Sequence, residues 1–266
     1  MKAMVLAAGL GTRLRPLTND RPKALVEVDG RTMLAITLER LRSFGIRDVI
    51  VNVHHHGDMI VEYLGAHDNF GMKIAISREE DLLDTGGGLK KAGWFFLEND
   101  SDAGQPFLVH NVDVISTIDL ARMVHFHSEQ SALATLAVQD RRTSRPLLFD
   151  EQGQLRGRGI QPSAQALSQS NDPAQHSNVH SLAFSGIHIV SPRLFAKMHE
   201  QGAFSIVDAY VRLAAEGEKV IAFRADAYEW LDLGRPEHVA QAAQRLSGAN
   251  ANATLARESG NVRRDS

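Results

Sequence analysis

The 266-residue chain contains no cysteine. That absence excludes a disulfide framework, a thiolate zinc site and a cysteine nucleophile. An excess of positive charge is missing too: 29 Lys and Arg stand against 32 Asp and Glu, so the formal net charge is −3. Nucleic acid as a partner is therefore not indicated, because there is no overall basic footprint. No apolar run approaches the roughly 20 residues that a membrane-crossing helix needs. The apolar start, Met4 to Leu10, is too short for a signal-peptide core and leads into Arg and Lys rather than a cleavage site. These absences predict a cytoplasmic protein with no membrane partner. Internal repeats and an obvious Ser/His/Asp arrangement are lacking as well.

What is present is an alternating pattern, on a chain long enough for one large α/β domain. Strand-like runs occupy Ala3–Ala8, Asp48–Val53, Lys73–Ser77, Phe107–Val114 and Ala132–Val138. Between them, Met33, Ile36, Leu38, Leu41 and Phe44 fall near helical spacing, with Gly45 as a C-cap candidate. Ile60, Val61 and Leu64 repeat the pattern before Gly65, and Leu120, Met123, Val124 and His127 follow Asp119. Leu89–Phe96 is a further helix candidate. Strands alternating with helices predict an α/β fold, a Rossmann-like, mostly parallel sheet with helices on both faces. The second half reads differently. Leu147–Leu155 suggests two strands around a turn, His180–Val190 and Lys219–Arg224 are further strands, and Ser205–Gly217 and Pro236–Leu246 read as helices.

Chemistry concentrates at the start. The first strand opens into Gly9-Leu10-Gly11-Thr12-Arg13-Leu14, and Arg21-Pro22-Lys23-Ala24-Leu25 follows. Small residues let backbone N–H groups approach an anion, and Arg and Lys neutralise it, so this is a phosphate-binding loop. It fails the dinucleotide fingerprint because Leu14 stands where a small residue belongs, and it fails the P-loop pattern because no Gly-Lys-Ser/Thr follows. Two carboxylates sit at the ends of apolar runs: Asp113 in His110-Asn111-Val112-Asp113 and Asp232 in Trp230-Leu231-Asp232-Leu233-Gly234. Asp84-Thr85-Gly86-Gly87-Gly88 forms a glycine-rich turn whose backbone can approach a flat base.

These blocks, in this order, resemble the sugar-1-phosphate nucleotidyltransferases, with the likeness covering about residues 1–246. The resemblance implies the nucleotide-diphospho-sugar transferase fold, with the extra antiparallel strands on the sugar-binding side. It implies a reaction between a nucleoside triphosphate and a sugar 1-phosphate, giving a nucleotide sugar and pyrophosphate. Arg13 and Lys23 become the catalytic cations. Ala8, Gly9, Gly11, Thr12, Arg13, Lys23, Thr85, Gly86 and Asn111 become the nucleotide site, Ser185 and Gly186 the sugar site, and Asp113 and Asp232 the Mg²⁺ ligands. A hard cation held by two carboxylates and substrate phosphates is chemically consistent. Arg15 reads equally as a phosphate contact or a solvated cation, and Arg21 as solvated.

Where many relatives carry Glu-Lys-Pro before the sugar-side strand, this chain has Arg156-Gly157-Arg158-Gly159. Arg158 either replaces the missing lysine or is a solvated hairpin arginine. Val112 is bulkier than usual and would narrow the pocket, and Trp94 and Trp230 read as core or pocket wall. His54-His55-His56 form a poor chelate, because neighbours on an extended chain point to alternate sides. They are expected to be a loop after the second strand. Residues 161–177 read as a polar loop insertion and 247–266 as a disordered tail. Within the family, the pattern most resembles compact uridylyltransferases acting on N-acetylmuramate 1-phosphate. Mannose- or heptose-1-phosphate guanylyltransferases, a non-catalytic nucleotide-sugar-binding subunit and a phosphocholine-type cytidylyltransferase are the alternatives.

Overall fold

The structure, a computed structural model, describes residues 1–98, 104–159 and 179–246. The predicted insertion at 161–177 and tail at 247–266 lie outside the described residues. Strand β1 (Lys2–Leu6) runs through the middle of a nine-stranded sheet. It pairs in parallel with β4 (Asp48–Val53) on one side and β6 (Phe107–Asn111) on the other, and β5 (Lys73–Arg78) lies beyond β4. Ala3, Met4 and Val5 are fully buried. Ala3 and Val5 face one core and Met4 faces the other, so this strand is covered on both sides and reads as a continuous apolar run.

The chain goes from β1 to β4 and β5, then returns to place β6 on the opposite flank of β1. That reversal makes a topological switch point, and crevices at such points, beyond the strands' carboxyl ends, are where open α/β sheets bind ligands. Beyond β6 the sheet turns antiparallel. The long β11 (His180–Val190) pairs with β6, with β8 (Ala134–Gln139) and with β9 (Leu147–Phe149). β10 (Leu155–Arg158) extends β9, and β12 (Val220–Arg224) runs parallel to β8. Two small ribbons stand apart from the sheet: β2 (Glu27–Val28) with β3 (Arg31–Thr32), and β7 (Val114–Ser116) with β13 (Trp230–Asp232).

Helices cover both faces. α1 (Met33–Ser43), α2 (Gly57–Ala66), α5 (Leu120–Glu129) and a helix over residues 236–246 contribute to one core, with Leu34, Ile60, Met123 and Val239 packed there. α3 (Asp84–Lys91), α4 (Gly93–Phe96) and α6 (Ile206–Ala215) cover the other through Leu89, Phe96 and Leu213. Each fully buried Leu, Met or Phe contributes about 1.5–3 kcal/mol. Capping follows the sequence: Thr32 Oγ1 accepts from Ala35 N at 3.1 Å, Asp119 Oδ1 accepts from Arg122 N at 2.9 Å, and Gly45 takes φ 78° just past α1.

Several expected boundaries move. Gly65 lies inside α2 rather than ending it. The apolar run from Phe107 breaks at Val112–Asp113, giving β6 and β7 as separate strands. The helix expected over Leu89–Phe96 is two helices, the first of which starts at Asp84 and contains the glycines that the sequence suggested as a turn. Three glycines cost a helix about 1 kcal/mol each, but packing demands them. A Cβ on Gly86 would lie 2.3 Å from the Phe204 ring, on Gly87 2.4 Å from Gly202 O, and on Gly88 2.6 Å from Glu79 Oε1.

Candidate functional site

The switch-point crevice is a cavity of about 1020 Å³. Of the predicted site residues, its wall brings together Arg13, Thr85, Asn111, Asp113, Ser185, Gly186 and Asp232. Ala8, Gly9, Gly11 and Thr12 belong to the loop that leaves β1, outside that wall. The loop is held from behind: Asn52 Oδ1 accepts from Ala7 N at 2.7 Å, and Asn52 Nδ2 donates to Glu79 Oε1 at 2.7 Å. Glu79 is buried, and its other oxygen accepts from Leu83 N at 3.0 Å, so the loop and the start of α3 share one anchor. Gly11 at φ 64° sits against Thr18, whose hydroxyl donates to Gly11 O at 2.9 Å. The following turn buries Leu14 and leaves Arg13 outside.

The two carboxylates are delivered by one ribbon. Asp232 pairs with Val114 across β13 and β7, and Leu233 N donates to Asp113 O at 2.8 Å. Asp232 Oδ1 accepts from Gly234 N at 2.9 Å. A side chain on Gly234 would meet Asp232 Oδ1 at 2.9 Å and Arg13 Nη2 at 3.1 Å, so Arg13 and Asp232 converge there. Lys23 Nζ, held by a turn whose Ala24 and Leu25 are buried, donates to Asp113 Oδ2. Arg15 is exposed, and Arg21 is exposed and paired with Asp20 at 3.0 Å.

On the antiparallel side, Gly186 adopts φ 72° where the β11–β8 register shifts between Phe184 and His188. A Cβ there would lie 2.8 Å from Asn111 Nδ2, so only glycine lets the end of β6 approach. Ser185 is fully buried and its Oγ has no hydrogen-bond partner among the described residues. Trp230 Nε1 donates to Ser185 O at 2.8 Å, which makes Trp230 a pocket-wall residue. Below it, His188 Nδ1 is hydrogen-bonded to Tyr210 Oη at 2.6 Å, and burial pushes the imidazole down to about 3 and the phenol up. His110, on β6, is held at about 4 by burial.

Several expectations are corrected. Gly86 is packed under Phe204 and its N–H donates to Phe204 O at 2.9 Å; it is absent from the cavity wall. Thr85 Oγ1 accepts from Ile206 N at 3.0 Å, so this segment seats α6. Val112 is buried in the core and does not narrow the cavity. Trp94 is 54% exposed, neither core nor pocket wall. His54 lies after β4 as expected, with Nδ1 2.9 Å from Glu79 O. Sequence reasoning missed the Asn52–Glu79 anchor and Arg141, which lines the cavity beside Trp230. The signal for Arg141 was the Arg141-Arg142-Thr143-Ser144-Arg145 run just past β8, four residues of which line the wall. For Glu79 it was an acid immediately after β5.

Among the described residues no group of three or more His, Cys, Asp or Glu can hold a metal. Two convergent carboxylates still fit Mg²⁺, which is usually held by one or two carboxylates with substrate phosphates and water completing the shell. The oxygen-only donor set, beside two cations, suits a metal that arrives with a polyphosphate.

Comparisons with known proteins agree with this geometry. The family model described as nucleotidyl transferase matches residues 2–248. The N-acetylmuramate alpha-1-phosphate uridylyltransferase of Caulobacter vibrioides is 34% identical over 256 residues, 93% of this chain and 97% of that protein. A mannose-1-phosphate guanyltransferase of Yarrowia lipolytica is 28% identical over 89% of this chain, which spans 61% of that relative's length. A crystal structure of a putative glucose-1-phosphate thymidylyltransferase from Bacillus anthracis superposes with a TM-score of 0.73 at 19% identity, covering 92% of this chain and 94% of the other, a likeness of fold. No helix among the described residues is long and apolar enough to cross a membrane. With the loop, the paired carboxylates and the switch-point cavity in place, the chain belongs to the nucleotidyl transferase family and is a sugar-1-phosphate nucleotidyltransferase.

Proposed function

We propose that this enzyme joins UTP to N-acetylmuramate 1-phosphate, or a closely related hexosamine 1-phosphate, and releases pyrophosphate with Mg²⁺ as cofactor. The observation that carries the choice of substrates is the 34% identity to the Caulobacter uridylyltransferase, extending over nearly the full length of both chains. Arg145 at the cavity rim adds support, since a free cation there suits a sugar bearing a carboxylate. Residues 1–246 act as one nucleotidyltransferase domain in this reading, and the reaction runs in the cytoplasm.

The nucleophile is a phosphate oxygen of the sugar 1-phosphate, already ionised at neutral pH. It attacks the α-phosphorus of the nucleotide; the new P–O bond forms as the bond to the β-phosphate oxygen breaks, and pyrophosphate leaves. No proton has to be removed, so the chain needs no general base. Its task is to bring two polyanions into line and to offset charge on the leaving group. Arg13 clamps triphosphate oxygens with its planar fork and Lys23 acts as a point charge. Asn111 and the loop Ala8–Thr12 position the nucleotide, with Thr85 beside α6, and Ser185 and Gly186 face the sugar. Mg²⁺ held by Asp113 and Asp232 would supply charge neutralisation at the phosphates.

The test is pyrophosphate release with Mg²⁺, crossing UTP, GTP, CTP, ATP and dTTP with N-acetylmuramate, mannose, heptose and glucose 1-phosphates. A dominant signal for UTP with N-acetylmuramate 1-phosphate, lost in Asp113→Asn, supports the reading. Preference for GTP with mannose 1-phosphate overturns the choice of substrates and leaves the reaction class intact.

A further inference from the structure

Arg141 follows β8 on the antiparallel side of the sheet and lines the same cavity as Arg13, Asp113 and Asp232. Its guanidinium stacks 3.7 Å over the Trp230 ring, and its Nη2 donates to Phe184 O at 2.7 Å. Trp230 is itself fixed to Ser185 O. Stacking and the one backbone bond settle the plane of the fork, so little is left to order when a ligand arrives.

Three other cations near the cavity are neutralised within the protein, and Arg13 and Arg145 on its wall are exposed. Arg156 pairs with Asp150 at 2.7 Å, Arg158 with Asp208, and Lys23 with Asp113. Arg141 forms no salt bridge among the described residues and is half-buried, its Nε–H sealed without a hydrogen-bond partner. Burial lowers its pKa, opposed by the charge of Asp232. A half-buried guanidinium without a carboxylate is costly in the free protein, and an entering anion removes that cost.

We infer that Arg141 is the residue that grips the phosphate of the sugar 1-phosphate, holding it on the Trp230 side while Arg13 and Lys23 hold the nucleotide. This rests on the reaction proposed above. It assigns the two anionic substrates to opposite walls, each with its own arginine. A planar fork locked on an aromatic ring donates to two phosphate oxygens at once, which orients the third toward the α-phosphorus.

The chain has two tryptophans, so in Trp94→Phe the emission of Trp230 reports on the Arg141 stack alone. Trp94 is a surface residue outside the cavity wall. Emission and calorimetric titrations use N-acetylmuramate 1-phosphate, mannose 1-phosphate, the phosphate-free sugars and UTP. The sugar 1-phosphates are expected to shift Trp230 emission saturably, and the phosphate-free sugars to bind about tenfold or more weakly. Arg141→Ala weakens sugar 1-phosphate binding about tenfold or more and leaves UTP binding within about twofold, while Arg141→Lys recovers part of the loss. Unchanged sugar 1-phosphate affinity in Arg141→Ala, or an equal loss for UTP, overturns the assignment. Mannose 1-phosphate binding in place of N-acetylmuramate 1-phosphate, still dependent on Arg141, supports it while sinking the sugar proposed above. Absence of wild-type turnover across the panel sinks the reaction reading, an outcome separate from the Arg141 affinities.

Discussion

Asp113 and Asp232 lie far apart in the sequence, yet backbone pairing between β7 and β13 places them as neighbours. Neither position depends on flexible side-chain reach, so a substitution that keeps shape and removes charge isolates the electrostatic role. Asp113→Asn is expected to cut turnover by about two to three orders of magnitude, and Arg13→Ala by a similar factor. Thermal midpoints should stay close to wild type, since Arg13 is exposed and Asn preserves the shape of Asp113. Near-wild-type turnover in either variant would remove that residue from the machinery. These residues were legible as candidates because the loop after β1 is contiguous and each acid sits in or at the end of an apolar run. Arg141 and Glu79 were not, because their roles depend on partners that only the fold supplies: Trp230 beneath one and Asn52 beside the other. Asn52 tests the second pairing. Asn52→Ala leaves Ala7 N–H and one Glu79 oxygen without their partner in a buried setting. The expected loss is about 1–3 kcal/mol per stranded group, read as a lower urea midpoint. An unchanged midpoint would mean that the loop is anchored some other way.

At the scale of elements, glycine separates what periodicity can reveal from what packing decides. The alternation of strands and helices was readable, and β4 and β11 fall on the predicted bounds. The Gly86–Gly88 run suggested a turn for good local reasons, and the fold overrides them because α3 must sit against Phe204, Gly202 and Glu79. Gly65 misled in the opposite sense: it looked like a stop and is an exposed helical residue with open space where a Cβ would be. Paired substitutions distinguish the two cases. Gly65→Ala should stabilise by about 0.5–1 kcal/mol, the helix-propensity gain. Gly86→Ala drives a methyl into the Phe204 ring and should cost about 1–3 kcal/mol. Denaturant midpoints moving in the same direction for both variants would refute this account of the glycines.

Across the whole molecule, three histidines are buried among the described residues, two on the sheet and one on a helix, a placement invisible in a composition that counts 12. His110 and His188 lie on adjacent strands β6 and β11, and His127 on α5 bonds Thr135 Oγ1 of β8 at 2.9 Å. Burial lowers His110 and His127 to about 4 and His188 to about 3. An unfolded histidine titrates near 6.5. Between pH 6.5 and about 4 the unfolded chain therefore binds protons that the folded chain refuses, and linkage makes stability fall as pH falls. The loss is on the order of 1–2 kcal/mol per histidine by about pH 5, and it is absent above about pH 7, where both states are neutral. Urea midpoints should drop steeply from pH 7 to pH 5, and the slope should shrink in His110→Gln, whose replacement cannot titrate. A flat profile in the wild type, or an identical slope in the variant, would show that these histidines take up protons within the folded sheet. His188 lines the cavity wall and, held at about 3 by burial, stays neutral from pH 7 to pH 5.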